Sequence, residues 1–252
     1  MFAEQRCEKI MSYLRAHKSA AIEELCQENF CSPATVRRDL IELERMGLIH
    51  RRHGGATLAA ERSSEYAHTF RDMENREGKL QIAALAESFL CDGLSLFLDP
   101  SSTVLALCPI LGRYKNLTVV TNGLFTAQRL TQEGWADTFF IGGHIKPGSA
   151  SATGELAAGF LEHFKADLCL LSCRGADENG AYEADLQQAL VKQQMMACSR
   201  QTLLLCDHHK LGRSYFYKLA GFHRFEALLT DRAPSPELAA AIAAAGSEVL
   251  FP

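Results

Sequence analysis

Ser32-Pro33-Ala34-Thr35-Val36-Arg37-Arg38-Asp39-Leu40-Ile41-Glu42-Leu43 reads as a helix whose start is written twice. The Ser32 hydroxyl suits the N-cap, and Pro33 fills the first helical position, where a missing N–H costs nothing. Val36, Leu40 and Leu43 recur at i, i+4, i+7 and form the inward stripe. Ala34, Thr35, Arg37 and Arg38 are thereby left on the exposed first turns. Upstream, Ile10 and Leu14 with Tyr13 predict a helix over Glu4–His17. Ser19 is the expected cap of a second helix through Ala20-Ala21-Ile22-Glu23-Glu24-Leu25 that ends near Asn29-Phe30. Downstream, Leu48–Leu58 reads as strand, Gly54-Gly55 turn, strand, with Arg51, Arg52 and His53 at the tip. Two short helices, the second capped and polar at its start, followed by a basic hairpin, are the parts of a winged helix-turn-helix. The expected partner is double-stranded DNA, with Ser32, Ala34, Thr35, Arg37 and Arg38 at the major groove. Arg51, Arg52 and His53 are expected on the phosphates.

Charge distribution supports this placement where net charge does not. The 252-residue chain carries a formal charge of −4. Residues 1–58 hold nine Lys or Arg against eight Asp or Glu, whereas residues 59–252 hold 17 against 22. Only the first segment is able to present a basic face. No apolar run approaches the roughly 20 residues of a membrane span, and the mixed charges of the first nine residues do not read as a secretory signal. A cytoplasmic protein is expected. Its nine cysteines, an odd number without a CxxC pair, read as reduced and mostly buried thiols. No metal and no cofactor is expected.

Residues 59–77 are polar and rich in charges, as in a linker. Residues 78–252 repeat short apolar runs at Leu94–Leu98, Leu117–Thr121, Thr138–Ile141, Leu168–Ser172, Thr202–Cys206, Glu226–Thr230 and Glu248–Phe251. Spacings of roughly 21 to 34 residues with helix-like stretches between them predict βαβ units and a mostly parallel α/β sheet. In such sheets ligands bind beyond the carboxyl ends of the strands. Those ends carry Asp99, Ser101, Ser102 and Thr103, then Thr121 and Asn122, Gly142 and Gly143, Gly175 and Asp177, and finally Asp207 and Lys210, with Lys192 on a helix between. One crevice able to collect them would suit a small phosphorylated ligand, with Ser102 and Thr103 opening a helix beside the phosphate.

Taken together, Arg6, Ile10 and Leu14, the Ser32–Leu40 run, and Arg51-Arg52-His53-Gly54-Gly55-Ala56 resemble the DeoR family of bacterial transcriptional regulators. The second half likewise resembles that family's sensor domain, whose fold is similar to ribose-phosphate isomerase. The resemblance implies a repressor of a carbohydrate operon, an effector that is a phosphorylated sugar, and assembly as a homo-oligomer, dimer or tetramer. It implies that Asp39 orients an arginine and does not touch DNA. Three positions depart from the family pattern. Ser101 stands where glycine is usual, Gln188 where a carboxylate precedes Lys192 by four, and His209 where a small hydroxyl residue precedes Lys210. Two rivals follow from residue types alone. Asp99, Asp177, Asp207, Lys192 and Lys210 include the acids and bases of a sugar-phosphate isomerase. Cys206, Cys173, His208 and His209 would serve a metal or redox sensor, although adjacent histidines on an extended segment point to opposite faces.

Overall fold

The computed structural model describes residues 3–45, 48–59, 71–72, 74–146 and 149–252. The chain divides into two compact units, with the boundary between Glu74 and Asn75. Most of the expected linker lies outside the described residues.

In the first unit, helix α1 (Ala3–His17) is followed by strand β1 (Ser19–Ala21), then α2 (Ile22–Asn29) and α3 (Pro33–Arg45). Strands β2 (Ile49–Arg52) and β3 (Gly55–Leu58) complete an antiparallel sheet of order β1-β3-β2. Ile10, Leu14, Leu25, Val36, Leu40, Leu43 and Ile49 fill its core. Ser19 is therefore strand, not cap. Helix α2 is capped at Ala21, whose N–H donates to Glu24 Oε2 at 2.7 Å. The hairpin turn is His53-Gly54, because Arg52 pairs with Gly55. Gly54 takes the left-handed φ of +81° that the turn demands, while Gly55 is needed in the strand for space. A Cβ there would lie 2.3 Å from the Ala20 carbonyl oxygen.

The second unit opens on α4 (Arg76–Ala86), which begins inside the stretch expected to be linker. Its seven-stranded sheet runs β13 (Glu248–Leu250), β12 (Ala227–Leu229), β10 (Ser199–Leu205), β7 (Ala166–Leu171), β4 (Ser95–Leu98), β5 (Thr118–Thr121), β6 (Asp137–Phe140). Every pairing in it is parallel, and each strand coincides with one of the seven apolar runs. Helices α5 (Ser102–Leu105), α6 (Cys108–Leu111), α7 (Leu124–Glu133), α8 (Glu155–Phe160), α9 (Leu186–Ala197) and α10 (Pro236–Ala244) lie between strands. Two apolar clusters build on alternate strand residues. Phe97, Cys169, Leu171 and Leu204 belong to one, and Leu96, Leu98, Leu168, Leu170, Leu203 and Leu205 to the other. That alternation marks a sheet covered on both faces. A second sheet of order β11 (Tyr217–Ala220), β9 (Gly180–Glu183), β8 (Gly175–Asp177) is antiparallel and was not foreseen.

Strand order reverses between β4 and β7. The chain moves outward from β4 through β5 to β6, then returns to the other side of β4 and moves outward again. The loops leaving β4 and β7 diverge there and open a crevice at the carboxyl ends of the central strands.

Candidate functional site

The first unit presents α3 as expected. Ser32 Oγ accepts from the Thr35 N–H at 3.3 Å and shares a hydrogen bond of 3.0 Å with the Thr35 hydroxyl. Val36, Leu40 and Leu43 are buried, while Ser32, Ala34, Arg37 and Arg38 are exposed. Asp39 turns inward and accepts two hydrogen bonds from the guanidinium of Arg6 on α1, at 2.8 and 3.1 Å. This bidentate pair raises the Arg6 pKa and fixes α3 against α1. Of the three wing residues, Arg52 and His53 stand at the tip and are exposed. Arg51 lies within β2 and is tied to Glu44 of α3, whose carboxylate accepts from its N–H at 2.9 Å and from its Nε at 2.6 Å. Those bonds hold the Glu44 pKa below its ordinary value.

The second unit gathers charged side chains in the crevice where strand order reverses. Asp99, at the end of β4, is fully buried and accepts from the Ser172 N–H at 2.9 Å and from the Ser101 N–H at 2.9 Å. Lys192, on α9, reaches Asp99 Oδ2 at 2.9 Å, Glu183 Oε1 at 2.5 Å and the Ser172 carbonyl at 2.8 Å. Burial alone would disfavour its charge, but Asp99 and Glu183 outweigh burial and raise its pKa. Lys210, in the turn after β10, donates to Ser172 Oγ at 3.0 Å and Thr103 Oγ1 at 3.4 Å and lies 3.3 Å from Asp207 Oδ2. Burial works against the ionised form of Asp207, yet Lys210, His209 and Lys79 hold its pKa well below the carboxylate range.

Ser101 needs no glycine-like freedom, since its φ of −74° and ψ of 149° are ordinary extended backbone. Its hydroxyl donates to Asp99 Oδ1 and accepts from the Val104 N–H, so serine adds a cap that glycine lacks. Thr121 and Asn122 end β5 beside Leu98, in register with it. Thr121 Oγ1 accepts from the Gly123 N–H, and Asn122 donates to the Ala152 carbonyl at 2.8 Å. Asn122 Oδ1 and Thr126 Oγ1 are buried without a hydrogen-bond partner among the described residues. Gly143 packs against the Thr153 backbone, where a Cβ would come within 2.6 Å of its oxygen; no atom would crowd a Cβ at Gly142. Gln188 donates to Ser151 Oγ, so the amide takes a packing partner where a carboxylate was the expected type.

Gly175 and Asp177 fall elsewhere. Both lie on β8 of the antiparallel sheet, Gly175 against the Arg213 backbone and Asp177 capping its own turn through the Asn179 N–H at 2.8 Å. The network instead includes Ser172, Glu183 and Lys79, none of them expected. Ser172 closes an apolar run that the sequence did mark. Glu183 sits on a strand with no such run, and Lys79 is one buried cation on an otherwise ordinary helix.

His208 and His209 occupy a 3-10 turn, which brings their rings to 3.9 Å and corrects the expectation of opposite faces. His208 donates through its N–H to Asp231 Oδ1 at 2.7 Å and holds Asp231 Oδ2 with its ring at 2.6 Å. The same Oδ2 accepts from Asn75, the first residue of the unit, at 3.1 Å. Cys173 and Cys206 approach to 3.6 Å in the core. Among the described residues no three His, Cys, Asp or Glu side chains gather as a metal site, and no helix is long and apolar enough to cross a membrane.

A winged helix-turn-helix with a free basic recognition helix, joined to a doubly wound α/β unit with a polar crevice at its strand reversal, defines a DNA-binding transcription regulator with a sensor unit. Sequence comparison gives the family. Residues 6–62 match the DeoR-like helix-turn-helix domain and residues 74–232 the DeoR C terminal sensor domain, and the chain belongs to the DeoR family. It is 31% identical over 235 residues to the HTH-type transcriptional repressor GlcR of Bacillus subtilis (strain 168), covering 93% of this chain and 91% of that one. It is 32% identical to the HTH-type transcriptional regulator GolR of Listeria innocua serovar 6a, over 92% of this chain and 91% of the relative. The glycerol-3-phosphate regulon repressor of Escherichia coli (strain K12) is 30% identical over 91% of each. Among solved structures, ribose 5-phosphate isomerase A from Methanocaldococcus jannaschii aligns with a TM-score of 0.41 at 13% identity over 55% of each chain.

Proposed function

We propose that this regulator represses a carbohydrate operon and is released or modulated by a phosphorylated sugar bound at the strand reversal of its sensor unit. The observation that carries the reading is Lys210, a partly exposed ammonium flanked by the hydroxyls of Ser172 and Thr103. A cation among hydroxyl donors is the chemistry that meets a phosphate. Asn122 Oδ1 and Thr126 Oγ1, unpaired and buried past the end of β5, one strand from the Thr103 loop that follows β4, supply polar atoms for sugar hydroxyls. Asp99, Ser101, Ser102, Thr121, Gly142 and Gly143 shape the walls. Lys192, already neutralised by two carboxylates, holds the crevice together and is no phosphate ligand. The names of GlcR and of the glycerol-3-phosphate regulon repressor agree with this class of signal.

On DNA, Ser32, Ala34, Thr35, Arg37 and Arg38 meet base edges or adjacent phosphates, and Arg52 and His53 meet the backbone, with Arg51 held in reserve by Glu44. The protein works in the cytoplasm, as an oligomer that presents two recognition helices to paired half-sites. It has no catalytic role. The test is titration of purified protein, alone and on DNA from upstream of its own gene, with glycerol 3-phosphate, glucose 6-phosphate, fructose 1-phosphate and ribose 5-phosphate. Saturable binding without turnover, together with a change in DNA affinity, is the expected result. Turnover of any of them would favour the isomerase reading, and the absence of both binding and turnover would remove the sugar phosphate.

A further inference from the structure

The second unit carries an apolar face that its own fold leaves uncovered. Strand β6 ends the sheet, paired with β5 on one side only. Past Asp137 it has no charge and no proline, the devices that keep strand edges apart. Its Phe139 is exposed on the face where α8 and α9 pack, while Phe140, the next residue along the strand, points to the other face of the sheet. Helix α8 adds Leu156 and Phe160, one turn apart, and α9, which packs on α8, adds Leu186 and Leu190, also one turn apart. The ring of Phe164 joins the strand to the helix, lying 5.4 Å from Phe139 and 5.5 Å from Phe160. Leu156 is 83% exposed, and the other four between 42% and 45%.

From those exposures the five side chains present about 400 Å² of apolar surface, within the range of the largest patch of a monomer. We infer that this face, built from β6, α8 and α9, is where a second copy of the chain docks. The area supports that occupant. Two such faces in contact supply roughly 800 Å² of apolar surface, and at the roughly 65% apolar fraction of homodimer interfaces this implies about 1,200 Å² in all. That reaches the lower end of the standard range for a stable association. A two-fold pairing also needs only a self-complementary patch, and a chain with one recognition helix needs a second copy to read paired half-sites. The inference deepens the reading of this protein as an oligomer and rests on it.

Sedimentation of the full chain between 0.1 and 50 µM tests both, those concentrations being chosen to span a dimer of about micromolar affinity. Wild type is expected to be dimeric or larger at the upper end. The double variant Leu156→Glu, Leu190→Glu should raise the dissociation constant at least a hundredfold while circular dichroism and melting temperature hold. Leu156→Ala, a truncation at the most exposed position, should raise it about tenfold and keeps the test valid if the double variant misfolds. Phe216→Glu, equally exposed but off this face, should change nothing. A monomeric wild type overturns the oligomer itself. An oligomeric wild type whose assembly is indifferent to Leu156→Ala and to the double variant overturns only the assignment of this face.

Discussion

Lys192→Met keeps the aliphatic stem on α9 and removes the ammonium that joins Asp99, Glu183 and the Ser172 carbonyl. Asp99 retains the N–H groups of Ser101 and Ser172, so the burden falls on Glu183, whose carboxylate meets Lys192 at 2.5 Å. All three side chains are at most 10% exposed, so solvent offers no replacement. Breaking one partner out of a buried ion pair costs about 3–5 kcal/mol, and at about 2–4 °C per kcal/mol for a unit of this size the melting temperature should fall by about 10 °C. The pH dependence identifies the cause. A carboxylate stranded in the core has its folded pKa raised above the unfolded value, so its penalty is fully present at neutral pH and fades as pH falls toward about 4. Wild type should show no such recovery. Adding Glu183→Gln should restore much of the loss by removing the uncompensated charge. Thermal melts of the three proteins from pH 4 to 8 read all of this. If Lys192→Met melts within about 2 °C of wild type at every pH and merely loses affinity for sugar phosphates, the ammonium is a ligand group and the argument for a structural tie is wrong.

Arg37→Ala and Arg38→Ala should each weaken specific DNA binding roughly ten- to hundredfold with an unchanged melt, whereas Arg52→Ala should weaken binding to all sequences and flatten the salt dependence in fluorescence anisotropy. Thr103→Val, which leaves the Lys210–Asp207 pair in place, should leave DNA affinity intact and blunt the response to sugar phosphates, read by mobility shift with and without ligand. Asp207, Asp231 and Asp185 all have pKa values held below the ordinary range. Their stabilisation is present above the unfolded value near 4 and is lost as pH falls through the folded values, so acid melts should steepen below about pH 4 and Asp231→Asn should soften that slope. Gly55→Val should unfold the first unit selectively, because its Cβ would overlap the Ala20 carbonyl oxygen; a retained near-native melt would show that β1 is dispensable.

The seven strands of the large sheet were legible because each coincides with an apolar run, unbroken in the central strands that are buried on both faces; the edge strands β6 and β13 are more exposed yet keep short apolar runs of their own. Helix α3 was legible because Ser-Pro at its start and the Val36, Leu40, Leu43 stripe are local signals that agree. Strand β1 was not. Ser19-Ala20-Ala21 has no periodicity of its own, and its existence depends on β3 passing alongside with a glycine at residue 55. The antiparallel sheet escaped for a similar reason, since β8, β9 and β11 are three or four residues each and rely on Gly175 and Gly180 to bring backbones together. Candidate site residues at strand ends were chosen by topology alone, which is why Gly175 and Asp177 were drawn in with the rest. The partners of Lys192 were invisible because Glu183 lies nine residues before it on an unrecognised strand.

The charges in the crevice bear on how such a site switches. Asp99, Glu183 and Asp207 carry three negative charges, and Lys192, Lys210 and the neighbouring Lys79 carry three positive ones. Under the proposed reading, an arriving phosphate finds no surplus cation and binds Lys210 only by competing with Asp207. That competition is the useful part under the proposed reading, because a ligand shifts an equilibrium only through different affinities for its two states. Asp207 caps the turn that carries His208, His208 holds Asp231, and Asp231 holds Asn75 where the second unit begins. Releasing Lys210 from Asp207 therefore loosens a hydrogen-bonded line that ends at the segment leading to the DNA-binding unit. A crevice with a free cation would bind phosphate more tightly but would have no internal bond to exchange for it. By linkage, operator DNA that favours the intact line must weaken sugar-phosphate binding by the same factor that the sugar phosphate weakens operator binding, about 5- to 150-fold for couplings of ordinary size.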